Sequence, residues 1–122
     1  MKKIAVATSD GKKISNHFGM APFYSIFQVD GNILMTCTLR EKPHKLSHQH
    51  KRESYGHGHG NRAIRAIDDC QVLICGSMGQ PAFEKAQDAG LEIYLIGGSV
   101  EDAIQAYIKG ELKSDQRRIH TH

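Results

Sequence analysis

The chain has 122 residues, of which 39% are hydrophobic and 24% are charged, and its formal net charge is +3. This length suits one domain with a sizeable core and is too short for two. No apolar run approaches the roughly 18–20 residues of a membrane span, and the run near the N-terminus is shorter than a signal-peptide core. We therefore predict a cytoplasmic protein whose three cysteines are buried, reduced thiols without a disulfide framework.

The first third of the sequence predicts a strand followed by a hairpin. Residues 2–8, KKIAVAT, form a short apolar run suited to a strand that is buried on both faces. Further on, the runs FYSIFQV and NILMTCTLR flank Asp30-Gly31, and an Asp-Gly between two strand-like runs is a strong hairpin signal. A two-residue turn at this dipeptide would place Phe27 opposite Leu34.

The sequence after residue 60 alternates between helical and strand patterns. In order, these are a short helix RAIRAIDD (62–69), a strand QVLICG (71–76), a helix QPAFEKAQDAG (80–90), a strand LEIYLIG (91–97) and a last helix capped by Ser99. Pro81 in the first turn and Gly90 at the end are the usual asymmetry of a helix. The polar residues from 113 onward are expected to fray.

This order of elements predicts an α/β sandwich with a mixed sheet of about five strands and helices on both faces. The N-terminal hairpin contributes the antiparallel portion, and the later β-α-β units contribute parallel strands with right-handed crossovers. We expect one domain over residues 1–112, with a histidine-rich insertion at 42–60 and a polar tail at 113–122.

The insertion belongs to the stretch KPHKLSHQHKRESYGHGHGN, residues 42–61, which holds five of the eight histidines. The pairs His48/His50 and His57/His59 can each turn two imidazoles to one face of an extended chain and bind Zn²⁺, Ni²⁺ or Cu²⁺. Two alternatives remain open, a solvated spacer and a basic arm that contacts nucleic acid, for which the stretch offers a single tyrosine for stacking.

The loop SNHFGMAP, residues 15–22, follows the first predicted strand and contains groups suited to a soft metal or cluster. His17 offers an imidazole and Met20 a thioether. Gly19 would allow a close backbone approach or a positive φ. The alternative for His17 is a histidine that caps the core in a tight turn.

The loop CGSMGQ, residues 75–80, follows a second buried strand and ends at a predicted helix N-terminus. Backbone N–H groups at such a terminus favour an anion, including a sulfide cluster. The loop lacks the lysine and the spacing of a phosphate-binding P-loop, so a tight turn with nothing bound is the alternative. No carboxylate pair and no nucleophile with a base partner indicates an enzyme.

Two long stretches, IAVATSDGKKISNHFGMAPFYSIFQVDG and VLICGSMGQPAFEKAQDAGLEIYLIGGSVEDAIQAYIKGEL, resemble the dinitrogenase iron–molybdenum cofactor biosynthesis family. That family includes NifX-like and NafY-like carriers and the C-terminal domain of NifB. The resemblance rests on S-x-H-F-G-x-A-P after the first strand combined with G-x-M-G before the second helix. It covers nearly the whole chain apart from the histidine-rich stretch and the tail.

The resemblance implies a ribonuclease-H-like three-layer fold without nuclease activity. It also implies a non-catalytic carrier or scaffold for a metal–sulfur cluster, of iron–molybdenum or iron–sulfur type, with cluster donor or acceptor proteins as partners. His17 would be the main ligand. The implied cofactor-binding residues are His17, Phe18, Gly19 and Met20 on one loop and Ser77, Met78 and Gly79 on the facing loop. The alternative function is a divalent-metal chaperone or buffer that uses the histidine-rich insertion.

Overall fold

The computed structural model of the chain describes residues 2–41 and 63–120. In these residues the strands are β1 (Lys2–Thr8), β2 (Phe23–Asp30), β3 (Ile33–Glu41), β4 (Val72–Cys75), β5 (Met78–Gly79), β6 (Glu92–Leu95) and β7 (Ile119–His120). The helices are α1 (Gln80–Asp88) and α2 (Val100–Ile108), with 3₁₀ turns at Phe18–Met20 and Gln116–Arg118.

Five strands form one mixed sheet in the order β3-β2-β1-β4-β6. The pairs β1/β2 and β2/β3 are antiparallel, whereas β1/β4 and β4/β6 are parallel. The predicted mixed five-stranded α/β sheet is therefore confirmed. Strands β5 and β7 pair with each other in parallel, in a separate two-stranded sheet.

Side chains of the sheet alternate between two apolar layers, as the period of a strand requires. On one face, Ile4 and Val6 pack with three residues of α2, which are Val100, Ala103 and Ile104. On the other face, Ala5 and Ala7 pack with Phe83 and Ala86 of α1 and with Ile64 and Ile67. Helical residues thus cover both faces of the sheet, and β1 is buried from Ile4 onward.

The hairpin β2/β3 forms, but its register differs from the prediction. Asp30 pairs with Ile33, so the turn lies one residue beyond the predicted Asp-Gly, and a register shift in β2 then pairs Phe27 with Cys37 rather than with Leu34. The glycine of the turn has φ +67°. A left-handed residue at the first turn position fits a type II′ turn, whose twist matches the flanking strands.

The short helix predicted over residues 62–69 is helical at 63–65 and continues as a turn at 66–69. The two later helices have the capping residues that the sequence predicts. Pro81 lies in the first turn of α1, and Gly90 follows its end with φ +88°. The Ser99 hydroxyl accepts a hydrogen bond from the backbone N–H of Asp102 at 3.0 Å. In the described part of the chain, no helix has the length and apolar character needed to cross a membrane.

The C-terminal segment 113–120 is folded against the sheet, so the prediction of a frayed tail is wrong for these residues. The Leu95 N–H donates to the Ser114 hydroxyl at 2.9 Å, and Leu95 C=O accepts from the N–H of Asp115 at 2.9 Å. Beyond this anchor, Ile119 pairs with Met78 in the β5/β7 ladder. The segment satisfies the backbone groups at the end of β6, which composition alone does not reveal.

Candidate functional site

Three loops leave the sheet at one edge, because β1, β4 and β6 are parallel and their carboxyl ends lie together. In open α/β sheets this edge is where ligands bind. Residues 9–22 follow β1, residues 76–79 connect β4 to α1, and residues 96–99 connect β6 to α2. The two loops singled out in the sequence are therefore neighbours, as their positions after adjacent parallel strands require.

The first part of the β1 loop is held by its own side chains and by the β6 loop. Asp10 Oδ1 accepts hydrogen bonds from the backbone N–H groups of Lys12 and Lys13, at 2.8 and 3.0 Å. These backbone donors hold the pKa of the Asp10 carboxyl below its usual range. The N–H of Ile14 then donates to Gly98 C=O at 2.9 Å, which fixes the β1 loop against the β6 loop.

The β1 and β4 loops contact each other through backbone hydrogen bonds. Gly76 N–H donates to Ser15 C=O at 2.9 Å, and Phe18 N–H donates to Ser77 C=O at 2.8 Å. A Cβ atom at Gly76 would lie 2.4 Å from the Ser15 carbonyl oxygen. Since real Cβ atoms do not approach a backbone atom that closely, only glycine permits this contact.

The glycine at which the backbones of the two loops meet is therefore Gly76 and not Gly19. Gly19 has no positive φ, and a Cβ atom placed there would meet no heavy atom within 4 Å. The expectation of a positive φ at Gly19 is therefore wrong, while a close approach of its backbone to a ligand stays a prediction. The first glycine of G-x-M-G, Gly76, was the available sequence signal for the contact between the loops, because its loop follows a strand that lies beside β1.

His17 and Ser77 meet across the two loops. The Ser77 hydroxyl donates to Asn16 C=O at 2.5 Å, and its oxygen lies 3.3 Å from His17 Nδ1. A hydroxyl has one proton, and here it is directed to the carbonyl, so the oxygen accepts from Nδ1–H. In the tautomer that carries its proton on Nδ1, the lone pair is on Nε2, which is the arrangement of a histidine that ligates a metal.

Within the SNHFGMAP loop, the buried and exposed residues have separate roles. Phe18 is buried, and its ring lies 6.3 Å from that of Tyr24, centroid to centroid. It anchors the 3₁₀ turn to the core. His17 is exposed, and Met20 is 75% exposed. The loop thus presents an imidazole, a glycine and a thioether at the surface while Phe18 faces inward.

On the facing loop, Ser77 contacts His17, whereas Met78 belongs to the core. The Met78 side chain is buried, and its sulfur lies 3.9 Å from Cys75 Sγ. Gly79 is the residue that precedes α1, and its backbone pairs with β7. Met78 and Gly79 therefore hold the loop in place, Met78 through its buried side chain and both residues through their pairing with β7.

Sequence reasoning missed Arg118, which lies in the segment expected to fray. Its Nη1 donates to Gly76 C=O at 3.3 Å. A Cβ atom at Gly97 would lie 3.5 Å from its Nη2. The guanidinium thus lies at the ends of both β4 and β6. No local signal distinguished this arginine from Arg117 in the sequence.

The remaining predicted ligands do not add a metal centre to the described residues. His48, His50, His57 and His59 lie outside these residues. In the two ranges 2–41 and 63–120, no three His, Cys, Asp or Glu side chains are grouped so that they could hold a metal ion. Cys70 and Cys75 are buried as predicted, but Cys37 is exposed.

The fold is that of a small α/β protein with a mixed five-stranded sheet, and in this chain the paired loops place an exposed histidine at the carboxyl edge of the parallel strands. The chain belongs to the family described as Dinitrogenase iron-molybdenum cofactor, whose sequence profile matches residues 1–110. The resemblance seen in the sequence is therefore confirmed. The chain is also similar to Protein NifX of Klebsiella pneumoniae, at 24% identity over 95% of this chain and 74% of that protein.

Solved structures share the fold. PH0822 matches with a TM-score of 0.73 and 22% identity, covering 93% of this chain and 94% of that one. The apo form of the orange protein from Desulfovibrio gigas matches with a TM-score of 0.68 and 24% identity, covering 94% of this chain and 93% of that one. Family membership places the chain among proteins involved in the biosynthesis or binding of the iron–molybdenum cofactor.

Proposed function

We propose that this protein is a non-catalytic carrier or scaffold for a metal–sulfur cluster of iron–molybdenum or iron–sulfur type, or for a precursor of it. The cargo docks at the carboxyl edge of the sheet, over the SNHFGMAP loop and Ser77. His17 is its main protein ligand. Membership of the family supports a metal–sulfur cluster as the cargo. The contact between the two loops supports the carboxyl edge of the sheet as the docking site.

The observation that carries the proposal is the contact between His17 Nδ1 and the Ser77 hydroxyl at 3.3 Å. The contact favours, for an exposed imidazole, the tautomer that can ligate through Nε2. A partner that orients the second nitrogen is what metal-ligating histidines usually have. A histidine that merely caps the core would be buried, whereas His17 is exposed.

A site with one imidazole suits a carrier better than a resident cofactor. Structural metal sites enclose the metal with a full set of protein ligands. The described residues offer His17 as imidazole, Met20 as a soft thioether that is 75% exposed, and the backbone of Gly19. A cargo held by so few groups keeps other coordination positions for a donor or acceptor protein.

Other parts of the proposal rest on the resemblance. A strand order with three antiparallel strands followed by two parallel ones supports the ribonuclease-H-like classification. Donor and acceptor proteins for the cluster are the proposed partners. No observation on the described residues favours a divalent-metal chaperone or a nucleic-acid-binding module as a second function.

Anaerobic titration with an iron–sulfur or molybdenum–iron precursor tests the proposal, with absorbance and thermal melting as the readouts. Saturable binding to the folded state should raise the free energy of unfolding by about 2.7 kcal/mol at a hundredfold excess over Kd. Replacement of His17 by Ala should remove most of this gain. The exposed Glu111→Ala variant, which lies beyond the C-terminal end of α2, is the control and should keep it.

A further inference from the structure

Arg118 supplies a permanent positive charge where the proposed cargo docks. We propose that Arg118 is an anion-binding residue of this site, and that the cargo it selects is a net-anionic cluster rather than a free metal cation. The inference rests on the carrier proposal, which it deepens by naming the charge class of the cargo. Its first support is position, because the guanidinium lies beside Gly76 and Gly97, at the ends of two central parallel strands.

The contacts of Arg118 adjoin those of His17. Arg118 Nη1 bonds the carbonyl of Gly76, and His17 Nδ1 contacts the hydroxyl of the next residue, Ser77. The imidazole and the guanidinium are therefore tied to consecutive residues of one short loop. An arginine so placed offers a planar set of N–H donors to an anion.

The charge of Arg118 is not cancelled by its acidic neighbour. Asp115 is bound by two nitrogens of Arg117, with Nε at 3.0 Å and Nη2 at 3.2 Å. Arg118 Nε lies farther away, 3.7 Å from Asp115 Oδ2. The three side chains together carry one net positive charge, and Arg117 rather than Arg118 takes the close pairing.

The backbone fixes this charge in place. Arg118 ends a 3₁₀ turn that begins at Gln116, and its N–H donates to Asp115 C=O at 3.0 Å. Before the turn, the chain is held by the hydrogen bond from Asp115 N–H to Leu95 C=O of β6. After the turn, it is held by the β5/β7 pairing. A side chain on an anchored turn loses less conformational entropy when it binds an anion than one on a free tail.

Arg117 provides a matched control, because it is the adjacent residue, carries the same charge and also pairs with Asp115. Its side chain is 90% exposed, whereas that of Arg118 is 40% exposed. Changing either arginine to Gln therefore removes one charge and that side chain's ion pair with Asp115. Only the change at Arg118 removes the guanidinium from Gly76 and Gly97.

The experiment measures binding of a preformed thiolate-ligated iron–sulfur cluster, a dianion, under anaerobic conditions at several salt concentrations. Ferrous ion alone is the cationic probe. Arg118→Gln should bind the dianion about tenfold more weakly, with a shallower salt dependence, and should not lose affinity for ferrous ion. Arg117→Gln should weaken binding less than Arg118→Gln, because it leaves the Arg118 guanidinium at Gly76 and only frees Asp115 to pair with it. Arg118→Lys should recover most of the affinity.

Each other outcome overturns the inference. If Arg118→Gln binds the dianion like the wild-type protein, Arg118 has no such role and the carrier proposal stands. If Arg118→Lys is as weak as Arg118→Gln and the salt dependence is unchanged, Arg118 only braces the loop. A wild-type protein that binds no cluster overturns the carrier proposal and this one together. Thermal melting of each variant verifies that the fold is retained.

Discussion

Gly76 and Ser15 touch so closely that no side chain fits between them. The Gly76 N–H donates to Ser15 C=O at 2.9 Å, and a Cβ atom on Gly76 would lie 2.4 Å from that same oxygen. This contact joins the loop after β1 to the loop after β4. The position of His17 opposite Ser77 depends on it, because Ser77 is the next residue after Gly76 and His17 is two residues after Ser15.

Replacement of Gly76 by Ala should separate the two loops and destabilise the protein. The added methyl group would have to displace backbone, since its nearest neighbours are backbone atoms of Ser15 and Asn16, and we expect a cost of about 2 kcal/mol in the free energy of unfolding. Denaturant titration measures it. Gly19→Ala is the control for stability, because nothing lies near its Cβ position. Equal stability of the two variants would contradict the contact.

Replacement of Ser77 by Ala should weaken cluster binding with a small effect on the fold. The variant loses the hydroxyl that accepts from His17 and donates to Asn16 C=O. We expect about tenfold lower affinity, as for other groups that orient a ligating histidine, and a loss of stability of about 1 kcal/mol. Cluster titration and thermal melting separate the two effects. Ser9→Ala, an exposed serine, should bind the cluster like the wild-type protein, and an unchanged affinity of Ser77→Ala would refute the orienting role.

The pH dependence of stability should include a contribution from Asp69. Arg40 contacts the Asp69 carboxylate through Nη1 at 2.8 Å and Nη2 at 3.1 Å, and Lys3 Nζ lies 3.2 Å away. Hydrogen bonding from Arg40 is the main cause that lowers the pKa of Asp69 in the folded protein. The unfolded chain then takes up this proton first, so the contribution is fully present above about pH 5 and is lost as the pH falls below about 4.

Asp69→Asn tests this contribution by urea denaturation between pH 7 and pH 2. The Asp69 side chain is 38% exposed, so solvent screening limits the effect, and we expect a loss of about 1 kcal/mol at pH 7. The difference from the wild-type protein should narrow as the pH falls. The neighbouring exposed Asp68→Asn is the control. A difference that stays constant down to pH 2 would show that Asp69 acts by packing rather than by charge.

The three thiols should differ in reactivity. Cys37 is exposed, whereas Cys70 and Cys75 are buried, and burial raises the pKa of the Cys70 thiol to about 11. Since the thiolate is the reactive form, a chromogenic disulfide reagent at pH 8 should modify one thiol per native chain rapidly and all three after denaturation. Cys37→Ser should abolish the fast phase. Rapid reaction of a second thiol in the native protein would contradict the buried positions.

The arrangement of the sheet could be predicted because the order of apolar strand and helix patterns determines which strands are central and which are parallel. The run at residues 2–8 is apolar on both faces, and β1 has helices on both sides and strands at both edges. The register of the hairpin could not be read from Asp30-Gly31, because the shift inside β2 follows from cross-strand packing. Cys37 was misplaced for a related reason, since an edge strand leaves an apolar side chain uncovered.

The site was predictable in part. The two loops were identified from their residues, and their contact follows from adjacent parallel strands. The sequence could not show whether Gly19 or Gly76 makes the close contact between the loops, because either glycine could have faced the other loop. Arg118 was missed because its segment is polar and distant in sequence. The hydrogen bonds of Ser114 and Asp115 with Leu95, together with the pairing of β7 with β5, bring it back to the site.

Cluster binding by the wild-type protein and by His17→Ala, compared in one anaerobic titration, tests the carrier proposal most directly. The wild-type protein should bind a metal–sulfur precursor saturably, with a charge-transfer absorbance and a higher melting temperature. His17→Ala should melt like the wild-type protein without cargo and show little of either response. Identical titrations of the two proteins would contradict the assignment of the cargo to His17.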